Sequence, residues 1–150
     1  MKKLKYVSYS IVMQEVPNEI SLAINISDCP YQCKNCHSKY LWKYIGSYLV
    51  DDIDGLLNRY ANFITCVCFM GGDQNEIDLL ECLKRVKKRN LKTCLYTGTD
   101  SFELINKSII KQLDYIKIGK YIEELGGLNS KTTNQKFFDL KNNQEIFFYK

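Results

Sequence analysis

Four short apolar runs recur along the chain: Ser21–Ile26 (SLAINI), Ile64–Met70 (ITCVCFM), Leu91–Tyr96 (LKTCLY) and Leu113–Ile118 (LDYIKI). Each has the length and the β-branched or aromatic content of a strand, and each runs into glycine or a cysteine-rich stretch. Between them the apolar spacing turns helical. Leu49 to Ala61 predicts a first helix, with Asp51 or Asp52 as its N-cap. Ile77, Leu79, Leu80, Leu83 and Val86 mark a second, ending near Asn90. Phe102, Leu104, Ile105 and Ile109 mark a third, capped by Asp100 or Ser101. Strand–helix–strand alternation predicts right-handed βαβ units and a parallel sheet. Four such strands are too few to close an eight-stranded barrel. The expected fold class is therefore α/β, a partial (open) parallel β/α barrel of minimal size, with extra terminal strands. Residues 4–20 are expected to add an N-terminal strand broken near Pro17-Asn18. Residues 137–149 are expected to form a hairpin turning at Asn142-Asn143. The chain shows no internal repeat and no low-complexity linker.

In parallel α/β folds, ligands bind at the carboxyl ends of the strands. Those ends are Ser27-Asp28-Cys29, Gly71-Gly72-Asp73, Thr97-Gly98-Thr99 and Gly119-Lys120. They are the most polar and glycine-rich points of the chain, and the pattern puts them on one rim.

Length and composition narrow the class. With 150 residues, one domain spanning 1–150 is expected, burying roughly 70% of its unfolded surface. Its core is expected over about residues 20–120, with 121–150 as a terminal segment. Hydrophobic residues make up 45% and charged ones 25%, with only two prolines and eight glycines, which excludes a disordered chain. A net charge of +4 is too mild to imply nucleic acid. The basic run Lys84–Arg89 lies on the second predicted helix and reads as a solvated face. The opening MKKLKY has no long apolar stretch behind it, and no segment reaches the roughly 20 apolar residues of a membrane span. A cytoplasmic protein with no membrane partner is expected. Seven cysteines are many for such a chain. In a reducing compartment their clustering points to metal or redox work rather than disulfides.

The cluster is CPYQCKNCH, which holds Cys29, Cys33, Cys36 and the only histidine, His37, within nine residues. A closed zinc site wants four protein ligands. His37 directly follows Cys36, and adjacent residues rarely reach one ion. Cys66, Cys68 and Cys94 fall in predicted strands and Cys82 on a helix, where small buried hydrophobes are expected. Cys66 and Cys68 share a face, which leaves a paired role open. A non-catalytic zinc or iron–sulfur module would need a fourth protein ligand from this set. The other reading is an open site, in which three cysteines hold three irons of a [4Fe-4S] cluster. The fourth iron is then left for an exogenous ligand.

The C-x3-C-x2-C loop after the first strand resembles the defining motif of radical S-adenosylmethionine (SAM) enzymes. The resemblance implies a radical SAM type of barrel, with Cys29, Cys33 and Cys36 as ligands and SAM on the fourth iron. Gly71-Gly72-Asp73 resembles the family's GGE motif, whose backbone and acid contact the SAM amino group; here the acid is one methylene shorter. The family usually carries an aromatic residue beside adenine before the last cysteine. This chain has Asn35 there, and His37 stands as the alternative ring. Thr97 and Gly98 take the place of contacts to SAM ribose or carboxylate, and Lys117 that of a buried cation near the carboxylate.

Within that family the chain is most similar to the activating proteins of anaerobic (class III) ribonucleoside-triphosphate reductase. The carrying segments are QEVP before the first strand, CPYQCKNCHSKYLW (Cys29–Trp42), FMGGD (Phe69–Asp73), YTG (Tyr96–Gly98), DYIKIG (Asp114–Gly119) and LGGLNS (Leu125–Ser130) through Thr133-Asn134-Gln135. The resemblance implies an oxidoreductase that generates a glycyl radical on the large reductase subunit. An electron donor such as flavodoxin or ferredoxin would serve it. The segment from Gly126 to Gln135 would then line or dock the partner loop. Another glycyl radical partner, or a small-molecule substrate, is the alternative within the family.

Overall fold

In the computed structural model of the chain, residues 2–32 and 39–149 are described. The strands are β1 (Lys5–Val12), β2 (Ser21–Ile26), β3 (Ser47–Tyr48), β4 (Cys66–Met70), β5 (Lys92–Tyr96), β6 (Tyr115–Ile118), β7 (Lys136–Asp139) and β8 (Gln144–Ile146). They form one eight-stranded sheet in the order β3-β1-β2-β4-β5-β6-β7-β8. The four strands expected from the apolar runs pair in parallel at its centre, β2 with β4, β4 with β5 and β5 with β6. The terminal strands pair antiparallel on both flanks. The sheet is therefore mixed and open, with β3 and β8 as edges, and it does not close into a barrel. Asn18 at φ 68° makes the break after β1, and Asn143 at φ 53° makes the hairpin turn.

Helices α1 (Leu49–Tyr60), α2 (Glu76–Lys88) and α3 (Lys107–Lys111) cover one face. Two expected caps are displaced. Tyr48 stands at the N-cap of α1 without a side-chain cap bond, because β3 runs straight into the helix. Asp51 and Asp52 sit in the first turn, where a negative charge suits the helix dipole, and Asp52 also accepts the Tyr6 hydroxyl at 2.6 Å. The third helix is split. Ser101 caps only a 3-10 turn at Phe102–Leu104, Ile105 returns to extended backbone, and Asn106 restarts the chain by accepting the Ser108 amide at 2.8 Å. A mid-segment asparagine offers the backbone a competing partner, so one periodic run becomes two short pieces.

The strand pleat divides the core. Leu22, Ile24, Val67, Phe69, Leu95 and Ile116 face Ile53, Leu57, Leu79 and Leu83 of the helices. Ala23, Cys66, Cys68, Cys94 and Tyr115 face the other way, against Val16 and Phe137. Burial on both faces is why the central strands read as continuous apolar runs rather than alternating ones.

The amino ends of the parallel strands carry a structural acid–base set. Glu19, just before β2, is buried and accepts from Thr65 Oγ1 (2.8 Å), Lys92 Nζ (2.9 Å) and the Tyr115 hydroxyl (2.6 Å). Asp114, just before β6, accepts from Lys87 Nζ (2.6 Å) and the Thr93 amide (2.9 Å). Desolvation pushes the Glu19 carboxyl up, but the bonds from Tyr115, Lys92 and Thr65 outweigh it and hold it below the ordinary 4.5. A depressed carboxyl pKa contributes stability that is present above the unfolded value and lost as pH falls through the folded one. Glu19→Gln should therefore cost about 1–2 kcal/mol near neutral pH. The cost should shrink towards zero as pH falls below 4.5 and Glu19 itself protonates, which urea titrations between pH 7 and 3 can read. A constant cost across that range would show that the carboxylate's charge is not what the site uses.

Candidate iron–sulfur and cofactor site

The four polar strand ends do meet on one rim. They enclose a cleft of ≈ 230 Å³ at the carboxyl ends of β2, β4, β5 and β6, and Cys29, Gly71, Asp73, Thr97, Gly98 and Lys117 all line it. Cys33, Asn35, Cys36 and His37 lie outside the described residues.

The cysteine loop enters the cleft under backbone control. Asp28 takes φ 62°, its amide donates to Lys43 O (3.2 Å), and the Cys29 amide donates to Leu41 O (2.9 Å). The loop is thereby laid along residues 41–43, and the half-buried Cys29 thiol lines the cleft. Gln74 ties the second rim segment to the first: its Nε2 donates to Ser27 O (2.8 Å) and Asp28 O (3.2 Å), while its Oε1 accepts the Gly72 amide (3.1 Å).

The two glycines do different work. Gly71, at φ 105°, extends the β4–β5 ladder by donating to Tyr96 O (3.0 Å) and borders the cleft. Gly72, at φ 113°, is buried on the helix side. A Cβ there would stand 3.1 Å from Ile26 Cδ1 and 3.3 Å from Leu79 Cδ1. Positive φ and close packing together call for glycine at that position.

Asp73 is held by hydroxyls. Its Oδ2 accepts from Thr97 Oγ1 (2.7 Å) and the Tyr31 hydroxyl (3.0 Å), with Thr99 Oγ1 3.3 Å away. Tyr31 belongs to the cysteine loop, and its ring lies on Gly98, where a Cβ would come within 2.6 Å of the ring. Gly98 is needed for that close approach. Burial raises the Tyr31 phenol above its ordinary value, with the Asp73 charge adding to it and the threonine hydroxyls opposing it.

Lys117 is buried, not at an exposed strand end. Its Nζ donates to Thr97 O and Gly119 O, both at 3.0 Å, and lies 5.6 Å from the centre of the Tyr96 ring. The carbonyls beyond β5 and β6 thus fix a positive charge at the rim of the cleft that Asp73 also lines.

The remaining cysteines are unlike Cys29. Cys66, Cys68, Cys82 and Cys94 are all fully buried. Desolvation raises the Cys66 and Cys94 thiols far above the ordinary value, and burial pushes Cys82 up to about 12. A thiolate is the form that binds metal, so Cys66, Cys82 and Cys94 disfavour ligation. Cys66, Cys68 and Cys94 share the inner face of the sheet as packing thiols. Among the described residues, no group of three or more Cys, His, Asp or Glu side chains is placed to hold a metal ion. The Cys29 thiol, half-buried at the cleft, is of the donor type a [4Fe-4S] cluster takes.

Tyr31 and Gln74 are the site residues the apolar pattern does not single out. Tyr31 sits inside the cysteine motif, but nothing local marks it as the partner of an acid 42 positions away. No helix among the described residues is long and apolar enough to cross a membrane.

A protein-family model described as "4Fe-4S single cluster domain" matches residues 20–147. That span begins one residue before β2 and ends one residue after β8, so it takes in the whole rim. No curated protein and no solved structure matches the chain.

Proposed function

The chain belongs to the family of 4Fe-4S single cluster domains, and on that premise we propose that it is a radical SAM activase for a glycyl radical enzyme, the anaerobic ribonucleotide reductase. The observation that carries this reading is the cleft: the cysteine loop, an acid after β4 and a buried lysine on β6 converge at the carboxyl ends of parallel strands. A closed structural site would have no use for such a cavity beside one of its ligands.

Cys29, Cys33 and Cys36 would hold three irons of the [4Fe-4S] cluster. When bound, the cluster and SAM would supply radical chemistry able to take a hydrogen atom from a glycine Cα of the partner. The chain's own side chains bind and orient. The Asp73 carboxylate offers a negative charge to the amino group of SAM, and the Lys117 ammonium a positive one to its carboxylate. Thr97 faces the ribose, and Gly71 lets backbone approach closely. Gly98 serves that end of the cleft by admitting the Tyr31 ring, and Gly72 by setting the turn that aims Asp73. Asn35 and His37 are assigned to the adenine side. Lys120, Tyr121 and Gln135 border the cleft, and with the segment from Gly126 they would receive the partner's glycine loop. A cytoplasmic flavodoxin or ferredoxin would supply the electron.

The test is direct. Protein reconstituted anaerobically with iron and sulfide, then reduced in the presence of SAM, should form 5′-deoxyadenosine. Addition of the large reductase subunit should give a glycyl-radical EPR doublet. Tetrahedral zinc with no 5′-deoxyadenosine would overturn the enzymatic reading in favour of a binding module. SAM cleavage without the doublet would redirect it to another glycyl radical partner or a small-molecule substrate.

A further inference from the structure

The Tyr31–Asp73–Thr97–Thr99 cluster joins three rim segments through one carboxylate oxygen. Its protons can be placed. Thr97 donates to Asp73 Oδ2 at 2.7 Å and Tyr31 donates to the same oxygen at 3.0 Å. Thr99 lies 2.6 Å from the Tyr31 oxygen but 3.3 Å from Asp73, so its proton takes the shorter path to tyrosine. The Thr99 amide then donates to Thr97 Oγ1 at 3.1 Å. Every hydroxyl proton is used and all the charge sits on Asp73. The phenol ring, for its part, lies flat on Gly98, at a distance only a glycine permits.

We propose that Tyr31 is a positioning residue that anchors the cysteine loop to the β4 and β5 strand ends through Asp73 Oδ2, while the same Asp73 side chain lines the cleft. The position of Cys29, two residues before Tyr31, then depends on a hydroxyl that is not itself a ligand. Residues beyond the immediate ligands commonly tune a metal centre in this way. The anchor also links the two halves of the site, because any cation that draws on the Asp73 carboxylate shares it with the loop.

The inference rests on the reading of Cys29 as a cluster ligand, and the experiment separates the two. Holoprotein reconstituted with iron and sulfide is challenged with excess EDTA, and cluster loss is followed by its visible absorbance. Tyr31→Phe keeps the ring on Gly98 and removes only the hydroxyl, and Thr99→Val removes its second partner. Tyr31→Phe should lose the cluster about tenfold faster, the factor equivalent to one hydrogen bond to a charged group, and Thr99→Val, whose bond to the phenol is neutral, about threefold faster. Both should also shift the EPR signal of the reduced cluster. Tyr31→Phe combined with Asp73→Ala should lose it no faster than the more affected single variant, since both break the Tyr31–Asp73 contact. Glu19→Gln, which weakens the fold at the far end of the sheet, should release iron at the wild-type rate and so excludes general destabilisation as the cause. Wild-type release and an unshifted signal in Tyr31→Phe, or additive effects in the double variant, overturn the anchor. A full cluster in Cys29→Ala instead overturns the ligand reading on which it rests.

Discussion

Cys29→Ala, Cys33→Ala and Cys36→Ala should each hold no stable [4Fe-4S] cluster after anaerobic reconstitution, whereas Cys66→Ala, Cys68→Ala, Cys82→Ala and Cys94→Ala should each hold a full one. The contrast follows from where the sulfurs sit. Cys29 lines the cleft, half-buried, on a loop fixed by its own amide to Leu41 O at 2.9 Å. Cys82 packs among Leu79, Leu83 and Val86 beneath the helices. Cys66, Cys68 and Cys94 pack beside Tyr115 and Phe137. Burial penalises ionisation of the Cys66, Cys82 and Cys94 thiols. Cys94→Ala removes a small apolar volume and should cost only stability, on the order of 1 kcal/mol. Iron and sulfide counting with EPR of the reduced protein reads the difference. Cluster loss in Cys94→Ala with its fold intact would mean a fourth protein ligand, and the fourth iron would not be open to a substrate.

Phe137→Ala should destabilise the fold by about 3–5 kcal/mol, a large share of the roughly 5–15 kcal/mol that holds a typical domain together. Phe137 is fully buried, and its ring centre lies 6.2 Å from that of Tyr96, 5.9 Å from Tyr115 and 5.1 Å from Phe148. It is the one large aromatic that is wholly buried in the inner-face cluster. Its backbone partner across the sheet is Lys117. The ring thus supports β6 on the side away from the helices, directly below the rim that carries the buried lysine. Denaturant midpoints should show the loss. Phe147→Ala, at a ring 59% exposed, should stay within about 0.5 kcal/mol of wild type. Equal effects at the two positions would mean that the inner face contributes little to stability.

The terminal strands show how far pattern reading carries. The break at Pro17-Asn18 and the turn at Asn142-Asn143 are both visible as local turn chemistry, and Asn18 and Asn143 do take positive φ. Their sheet partners are not visible in the same way. β1 could lie on either side of β2, and only packing decides that it pairs antiparallel on the side away from β4, with β3 beyond it at the edge. β3 itself is two residues long, Ser47-Tyr48, too short to carry any period. The third helix reads as continuous because Phe102, Ile105 and Ile109 keep helical spacing, yet Asn106 interrupts it with its own side chain.

The site divides along the same line. The three-cysteine loop, the glycines after β4 and the polar ends of four strands are local facts of composition. They place the ligand-bearing loop and the rim without any knowledge of contacts, because parallel strands joined by helices must bring their carboxyl ends to one side. What the chain's order could not determine is which polar groups on that rim hold one another. Tyr31 meets Asp73 across 42 positions and Thr99 across 68, and Lys117 is capped by a carbonyl 20 positions earlier. These pairings come from hydrogen-bond geometry between segments that only folding makes neighbours. They turn an acid, a phenol and a lysine that look like independent surface polar residues into a connected, half-buried frame around the cleft.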